Sequence, residues 1–340
     1  MCLQPRFRLI DLRQLQARAL EPLFEEEQRQ WLEVLLWDYR PSIETLRRFL
    51  DTRALSGYAV FEGTVPAGYG FYVVEEHKGL LGDLFVSARY PHDEVAAPLL
   101  CELVRALRSR AGVERIEAQL IPFGGSHDKV FAALGFRLFP RQFMLRPLTE
   151  ASPPPDSGAV RIEPWNERWF VPCARLIQSA YAGHVDSQIN EQYRTSGGAL
   201  KFLRNLILLP GCGRFLPEVS FVVPAPDGQA LLAAVLNSEV SPKVAHTTQI
   251  AVRADCQRRG LGRRLLQATM AALQARRFRA LTLTVSTENR PAFELYQRLG
   301  FRTVKTFSAA VWSAQEEAGG IGSGGPSGAR VPAAALSTRP

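Results

Sequence analysis

The chain has 340 residues, 46% of them hydrophobic, and a formal net charge of +8. That length exceeds what one core usually holds, so two domains are expected, and the composition suits packed cores rather than disorder. Five scattered cysteines argue against a zinc site or a disulfide framework, and no metal is expected. The charged opening "MCLQPRFRLIDLRQL" excludes a secretory signal, and no apolar run approaches the roughly 18 residues of a membrane span, so the expected location is cytoplasmic.

The charge is uneven. Residues 1–150 hold 19 Lys+Arg against 20 Asp+Glu, a net of −1; residues 151–340 hold the other 22 and 13, a net of +9. No basic recognition helix or aromatic RNA-binding pattern accompanies the excess, so nucleic acid is not an expected partner.

In chain order, "GYAVFEG", "PAGYGFYVVEE" and "LLGDLFVSA" read as strands, followed by a helix over 94–111. "VERIEAQLI" is a strand, "HDKVFAALGF" a helix ending at Gly135-Phe136, and "RLFPRQFMLRPL" a strand. "ASPPPDSGA" is a linker by composition. The second half then repeats the order. "FVVPAPDGQALLAAVLNSEV" reads as strand, turn and strand, and "KVAHTTQIAV" as a further strand. A helix runs from Leu261 to about residue 277, with Leu261, Leu265, Leu266, Met270 and Leu273 on one side. "RALTLTVST" is a strand, "RPAFELYQRLG" a helix with Pro291 in its first turn and Gly300 at its stop, and "FRTVKTFSAAVW" a closing strand. "FAALGFR" at 131–137 echoes "YQRLGFR" at 296–302, which points to a duplication. The boundaries expected are a first domain at 1–148, a linker at 149–158, a second domain at 159–313 and a disordered tail at 314–340, rich in Gly, Ala, Ser and Pro.

The stretch "IAVRADCQRRGLGRRLLQ" concentrates glycine and arginine where a strand turns into a helix. Gly260 and Gly262 permit a sharp turn and a close approach of backbone to ligand. N–H groups of a first helical turn lack helical partners and, with the helix dipole, form an anion site suited to a pyrophosphate. Arg258, Arg259, Arg263 and Arg264 add charge. A Walker loop requires Gly-Lys-Ser/Thr, and a dinucleotide fold requires GxGxxG with an acidic partner; neither is present. Downstream, "ENRPAFELYQRLGF" places Asn289, Ala292, Phe293 and Tyr296 at helical spacing.

This combination resembles the GNAT superfamily of acyl-CoA-dependent N-acetyltransferases. The resemblance implies an α/β fold of the GNAT kind: two tandem domains, each a mixed, mostly antiparallel sheet flanked by helices. In that family the Q/R-x-x-G-x-G/A loop cradles the coenzyme A pyrophosphate. Carried over, it implies that Gln257, Arg258, Arg259, Gly260, Leu261, Gly262 and Arg263 surround the pyrophosphate. Ala251 and Val252 would offer backbone groups to the pantetheine amides, Asn289 would bond that arm, and Tyr296 would sit beside the sulfur. The first half departs from the pattern. "VSARYPHDEVAAPLLCEL" has no glycine and carries Asp93 and Glu94, and Phe131 stands where the second half has Tyr296. A degenerate first copy and an active second copy, a layout similar to that of mycothiol synthases, is the expectation.

The implied activity is transfer of an acetyl group from acetyl-CoA to a primary amine, in a small molecule or a protein, by direct attack in the second domain. A base must deprotonate the amine, an oxyanion must be stabilised, and the thiolate leaves more easily if protonated. Tyr296 is the candidate acid and the backbone N–H near Val252 the candidate oxyanion donor. His246, on the strand leading to Val252, is the candidate base by its intrinsic pKa, with Glu239 and Glu288 as alternatives. A non-catalytic acyl-CoA-binding or sensor protein is the competing reading. The acceptor is expected to lie against the segment from about 167 to 213, which carries Trp169, Tyr181, Tyr193 and Phe202.

Overall fold

The computed structural model describes residues 3–123, 127–148 and 160–314. The expected linker, and the expected tail from residue 315 on, lie outside these.

The first half contains β1 (Phe7–Asp11), α1 (Glu21–Leu35), α2 (Arg40–Asp51), β2 (Ser56–Glu62), β3 (Val65–Glu75), β4 (Lys78–Val86), α3 (His92–Arg108), β5 (Arg115–Gln119), α4 (Asp128–Ala133) and β6 (Arg137–Pro147). The second contains β7 (Glu163–Pro164), α5 (Phe170–Ala180), α6 (Asp186–Ile189), α7 (Ser196–Leu208), β8 (Arg214–Phe215), β9 (Phe221–Pro224), β10 (Leu231–Ser241) and β11 (Val244–Val252). It closes with α8 (Leu261–Ala275), β12 (Ala280–Ser286), α9 (Arg290–Arg298) and β13 (Arg302–Ser313). The helices α1, α2, α5 and α7 fall in stretches where no element was assigned from sequence.

All the strands join one sheet in the order β1-β2-β3-β4-β5-β13-β6-β12-β11-β10-β9-β7, with β8 paired to β10. Pairing is antiparallel except at β4·β5 and β11·β12. The centre holds a feature that the sequence reading did not foresee. β13, the last strand of the second half, pairs with β5, and β6, the last strand of the first half, pairs with β12. The two final strands are exchanged and also pair with each other. Each core therefore borrows from the other half: Ala310 and Trp312 pack into the first, Met144 and Leu148 into the second.

The duplication is visible atom by atom. Gly300 (φ 82°) ends α9, and the Phe301 N–H turns back to the Tyr296 carbonyl at 3.0 Å. Gly135 (φ 76°) ends α4, and the Phe136 N–H turns back to the Phe131 carbonyl at 3.0 Å. In both places a left-handed glycine satisfies carbonyls that the helix leaves open.

Both parallel pairs come apart. β4 and β5 are paired only from Lys78↔Arg115 to Leu81↔Ala118. β11 and β12 are paired only from Val244↔Ala280 to Thr247↔Leu283. Beyond Thr247, β11 continues on β10 as far as Val252, while β12 continues on β6 as far as Ser286. A gap opens between their carboxyl ends, and the helices that follow both strands begin on that edge of the sheet.

Candidate functional site

The glycine corner lies at the mouth of this gap. Arg258 (φ 59°) and Gly260 (φ 80°) are both left-handed, and Gly260 heads α8 without a side-chain cap. The Arg264 N–H bonds the Gly260 carbonyl at 3.0 Å, so the N–H groups of Leu261 and Gly262 precede the helical ladder. A Cβ built on Gly260 would meet nothing within 4 Å, so this stretch of backbone stands open. A Cβ on Gly262 would lie 3.6 Å from Leu295 Cδ2 and 3.8 Å from Val252 Cγ2, in ordinary contact. Arg258, Arg259 and Arg263 are exposed beside it, and the Nη1 of Arg264 is buried without a hydrogen-bond partner. The first turn of α8 holds no acidic residue. The matching helix in the first half, α3, starts after Pro91 with Asp93 and Glu94 in its first turn. An anion is favoured at the first of these helix ends and opposed at the second.

The other residues singled out from sequence take these places. Gln257 is exposed, and its Nε2 donates to the Val252 carbonyl at 3.3 Å. The Arg253 N–H bonds the Leu232 carbonyl of β10 at 2.9 Å. Strand alternation then turns the Ala251 backbone toward β10 as well and leaves Ile250 and Val252 facing the gap. Of the expected pair, Val252 therefore turns its backbone groups to the gap and Ala251 turns its own to the sheet. Asn289 caps α9, accepting the Ala292 N–H at 3.3 Å. Tyr296 is 5% exposed in the second core, its ring 5.9 Å from that of Phe301. Burial, and then the charge of Asp186, push its hydroxyl above the ordinary phenol range, so it keeps its proton at neutral pH.

His246 is not placed as a base. It lies in the paired part of the strands, opposite Thr282, and its Nδ1 is 2.9 Å from Thr282 Oγ1. The rings of Trp37 and Phe143 pack on it at 5.1 and 5.7 Å. Burial, with Arg141 nearby, pushes its pKa down to about 3. An imidazole so reluctant to take a proton is a weak base, and this one belongs to the sheet core. Glu239 is tied to Arg214 at 2.5 Å at the hairpin end of β10, the far end from Gly260. Glu288 is exposed just before α9.

A group that no motif announced lies at the gap. The Tyr181 hydroxyl donates to the Ile250 carbonyl at 3.1 Å and to Gln249 Oε1 at 3.3 Å. The Tyr181 and Tyr193 rings are 4.6 Å apart. The Ser286 hydroxyl, at the open end of β12, donates to the Asp186 carboxylate. Burial raises the pKa of Tyr181 and of Tyr193, and Asp186 adds to both shifts as it does for Tyr296. One carboxylate is thus felt by three phenols. The Nε2 of Gln249, a residue 6% exposed, is a buried donor without a partner. The aromatics expected on the acceptor side between 167 and 213 lie in this segment, but "HVDSQINEQYR" carries no signature that singles out Asp186.

Comparison with known proteins bears on the fold. Residues 188–301 match the model of the acetyltransferase (GNAT) family. No curated protein matches the chain in sequence. Among solved structures, a GCN5-related N-acetyltransferase from Sphaerobacter thermophilus superposes with a TM-score of 0.65 at 16% identity, covering 92% of this chain and 97% of that one. A tandem GNAT protein of the clavulanic acid biosynthesis pathway superposes with a TM-score of 0.58 at 15% identity, covering 95% of this chain and 100% of that one. At such identities the likeness is one of fold. The chain has the tandem GNAT fold, a scaffold that supports acyl transfer. Within that fold, residues 188–301 are the part that matches the GNAT family model. No described helix is long and apolar enough to cross a membrane.

Proposed function

We propose that the second half is an N-acetyltransferase that takes acetyl-CoA as acyl donor and a primary amine as acceptor. The observation that carries this reading is the parting of β11 and β12 after Thr247 and Leu283 under the uncapped N-terminus of α8. The open backbone at Gly260, the exposed Arg258 and Arg259 and the unpartnered Nη1 of Arg264 suit a pyrophosphate, a ligand that would satisfy the open backbone and that Nη1. The Val252 N–H faces the gap, where it can meet a pantetheine amide or the carbonyl oxygen under attack. Asn289 borders the same edge.

Bound in this way, acetyl-CoA supplies the electrophilic thioester. The protein's part is to move protons. We assign Asp186, not His246, as acceptor of the proton that the amine must lose. Tyr296 donates to sulfur as the N–C bond forms and the C–S bond breaks. The two roles support each other. The charge of Asp186 makes the Tyr296 hydroxyl reluctant to release its proton. Once the amine's proton reaches Asp186 that charge is gone, and transfer from Tyr296 to sulfur becomes easier. The Nε2 of Gln249 is a further donor for the developing oxyanion. On this reading the first half, with Asp93 and Glu94 where the phosphates would sit, binds no donor.

The test is calorimetry with coenzyme A, followed by thiol detection across a panel of primary amines with acetyl-CoA. One site per chain and amine-dependent thiol release are expected. Tight binding with no thiol release from any amine would instead favour an acyl-CoA sensor. A second tight site would contradict the inactive first half.

A further inference from the structure

We infer that the first half serves the reaction as a clamp that holds the Asp186 segment at the gap, with Arg115 as its principal positioning residue. The inference rests on the assignment of Asp186 above. The helix that carries this residue, α6, spans only Asp186–Ile189. A single turn has no stability of its own, so its place must be set by what it touches.

Much of what it touches comes from β5 and β6 of the other half. The Arg115 guanidinium donates to the Gln188 carbonyl and, at 3.4 Å, to the Ile189 carbonyl. These carbonyls lie at the C-terminal end of the turn, where no helical N–H follows and positive charge is favoured. Glu117 joins the arrangement from the same strand. It accepts Arg115 Nε at 2.7 Å and the Glu191 N–H at 3.2 Å, and Lys78 lies 3.4 Å from its other oxygen. All three charged side chains are nearly buried, at about a tenth exposure or less. Buried charge is costly unless paired. Here each cation faces the carboxylate, and the surplus donors of Arg115 are spent on the backbone of α6. Arg137 of β6 donates to Gln188 Oε1 at 2.7 Å, and Arg141 lies 3.9 Å from the Asp186 carboxylate. Ile189 is 1% exposed against Phe139 of β6 and against Ala309 and Val311 of the exchanged strand β13. The second half itself contributes the Ser286 hydroxyl, which fixes the carboxylate, the Arg194 Nε, which donates to the Ser187 carbonyl at 2.8 Å, and His184, whose Nδ1 accepts the Asp186 N–H at 3.1 Å; the carbonyls at the end of the turn are held by Arg115.

Removing Arg115 leaves Glu117 paired with Lys78, so Arg115→Gln tests the clamp without stranding a buried carboxylate. The readout is amide hydrogen exchange by mass spectrometry. Amides 186–191 should exchange about ten- to a hundredfold faster, the range expected for losing hydrogen bonds to a charged donor. Those of α8 should keep their protection, and coenzyme A affinity should not change. With the best amine from the panel, KM for the amine should rise while KM for acetyl-CoA stays. Arg137→Ala, at an exposed position, should give a smaller effect of the same pattern and stands in if Arg115→Gln does not fold. Unchanged exchange at 186–191 overturns the clamp. Faster exchange spread evenly through α8, with weaker coenzyme A binding, also overturns it, because Arg115 would then be a general stabiliser. Exchange needs no substrate, so failure of every amine in the panel would count against the acyl-transfer reading and leave the clamp to be decided by exchange alone.

Discussion

Gly260→Asp is the sharpest test of the phosphate site, and the structure fixes its control. The Cβ of any replacement points into space that is empty to 4 Å, so the new side chain displaces nothing. The fold loses only what a left-handed φ of 80° costs an L residue, about 1–2 kcal/mol and less for Asp. Gly260→Ala carries the full backbone cost without charge. A carboxylate about 5 Å from one phosphate charge opposes it by roughly 0.8 kcal/mol in bulk water and about 3 kcal/mol at an effective dielectric of about 20. Two phosphate charges double that, for an affinity loss between roughly tenfold and several ten-thousandfold. Titration calorimetry with coenzyme A should therefore show near-normal binding for Gly260→Ala and collapse for Gly260→Asp, with the gap narrowing as salt is added. Equal affinities for the two variants, with the fold intact in both, would refute the placement of phosphates at α8.

Tyr296→Phe keeps a ring that is buried in the core, so coenzyme A affinity should hold while turnover with an amine falls by about 10²–10⁴-fold; a parallel loss of affinity would make the hydroxyl structural. His246→Gln removes a group whose folded pKa, about 3, lies below its ordinary 6.5. As pH falls below 6.5 the unfolded chain takes up that proton first, so the native histidine costs stability between 6.5 and 3. The variant should resist acid unfolding to a lower pH, by part of the full effect, since His127 is also pushed down to about 3; an unmoved acid midpoint would contradict the assigned environment. In the first half, Glu27 and Asp83 are both buried, and burial raises both their pKa values, Glu27 with added repulsion from Asp83. Folded Glu27 keeps its proton above the ordinary 4.5, where the unfolded chain loses it, so its contribution to stability declines as pH rises from there. Glu27→Gln should melt increasingly above the wild type between pH 5 and 8, and parallel melting curves across that range would show that Glu27 ionises normally.

Local pattern carried the corner and the helix behind it. Gly260 at the head of α8, the apolar side of that helix, Pro291 in the first turn of α9 and Gly300 as its stop each depend on neighbours within one or two turns, so a one-dimensional reading reaches them. The repeat of "LGF" was legible for the same reason. The exchange of β6 and β13 was not, because either strand would satisfy the same alternation beside either partner, and nothing local in "RLFPRQFMLRPL" names its neighbour. His246 misled because an intrinsic pKa says nothing about the rings of Trp37 and Phe143, which arrive from distant parts of the chain. Asp186 was invisible because its setting is built by Ser286 and Arg141, one about a hundred residues later and the other from the other half.

The exchanged strands also set an order of assembly. During synthesis the first half emerges with β5 complete and its outer edge bare, and that edge waits for a strand encoded nearly two hundred residues downstream. Until β13 arrives, Ala310 and Trp312 are missing from the first core, and β6 has neither β12 nor β13 to lie against. An open strand edge invites pairing with other chains, and contacts so remote in sequence form slowly. The nascent first half is therefore a committed but unfinished piece. Cutting the chain between 148 and 160 would yield two fragments, each carrying the strand that the other lacks, and neither able to close its own sheet.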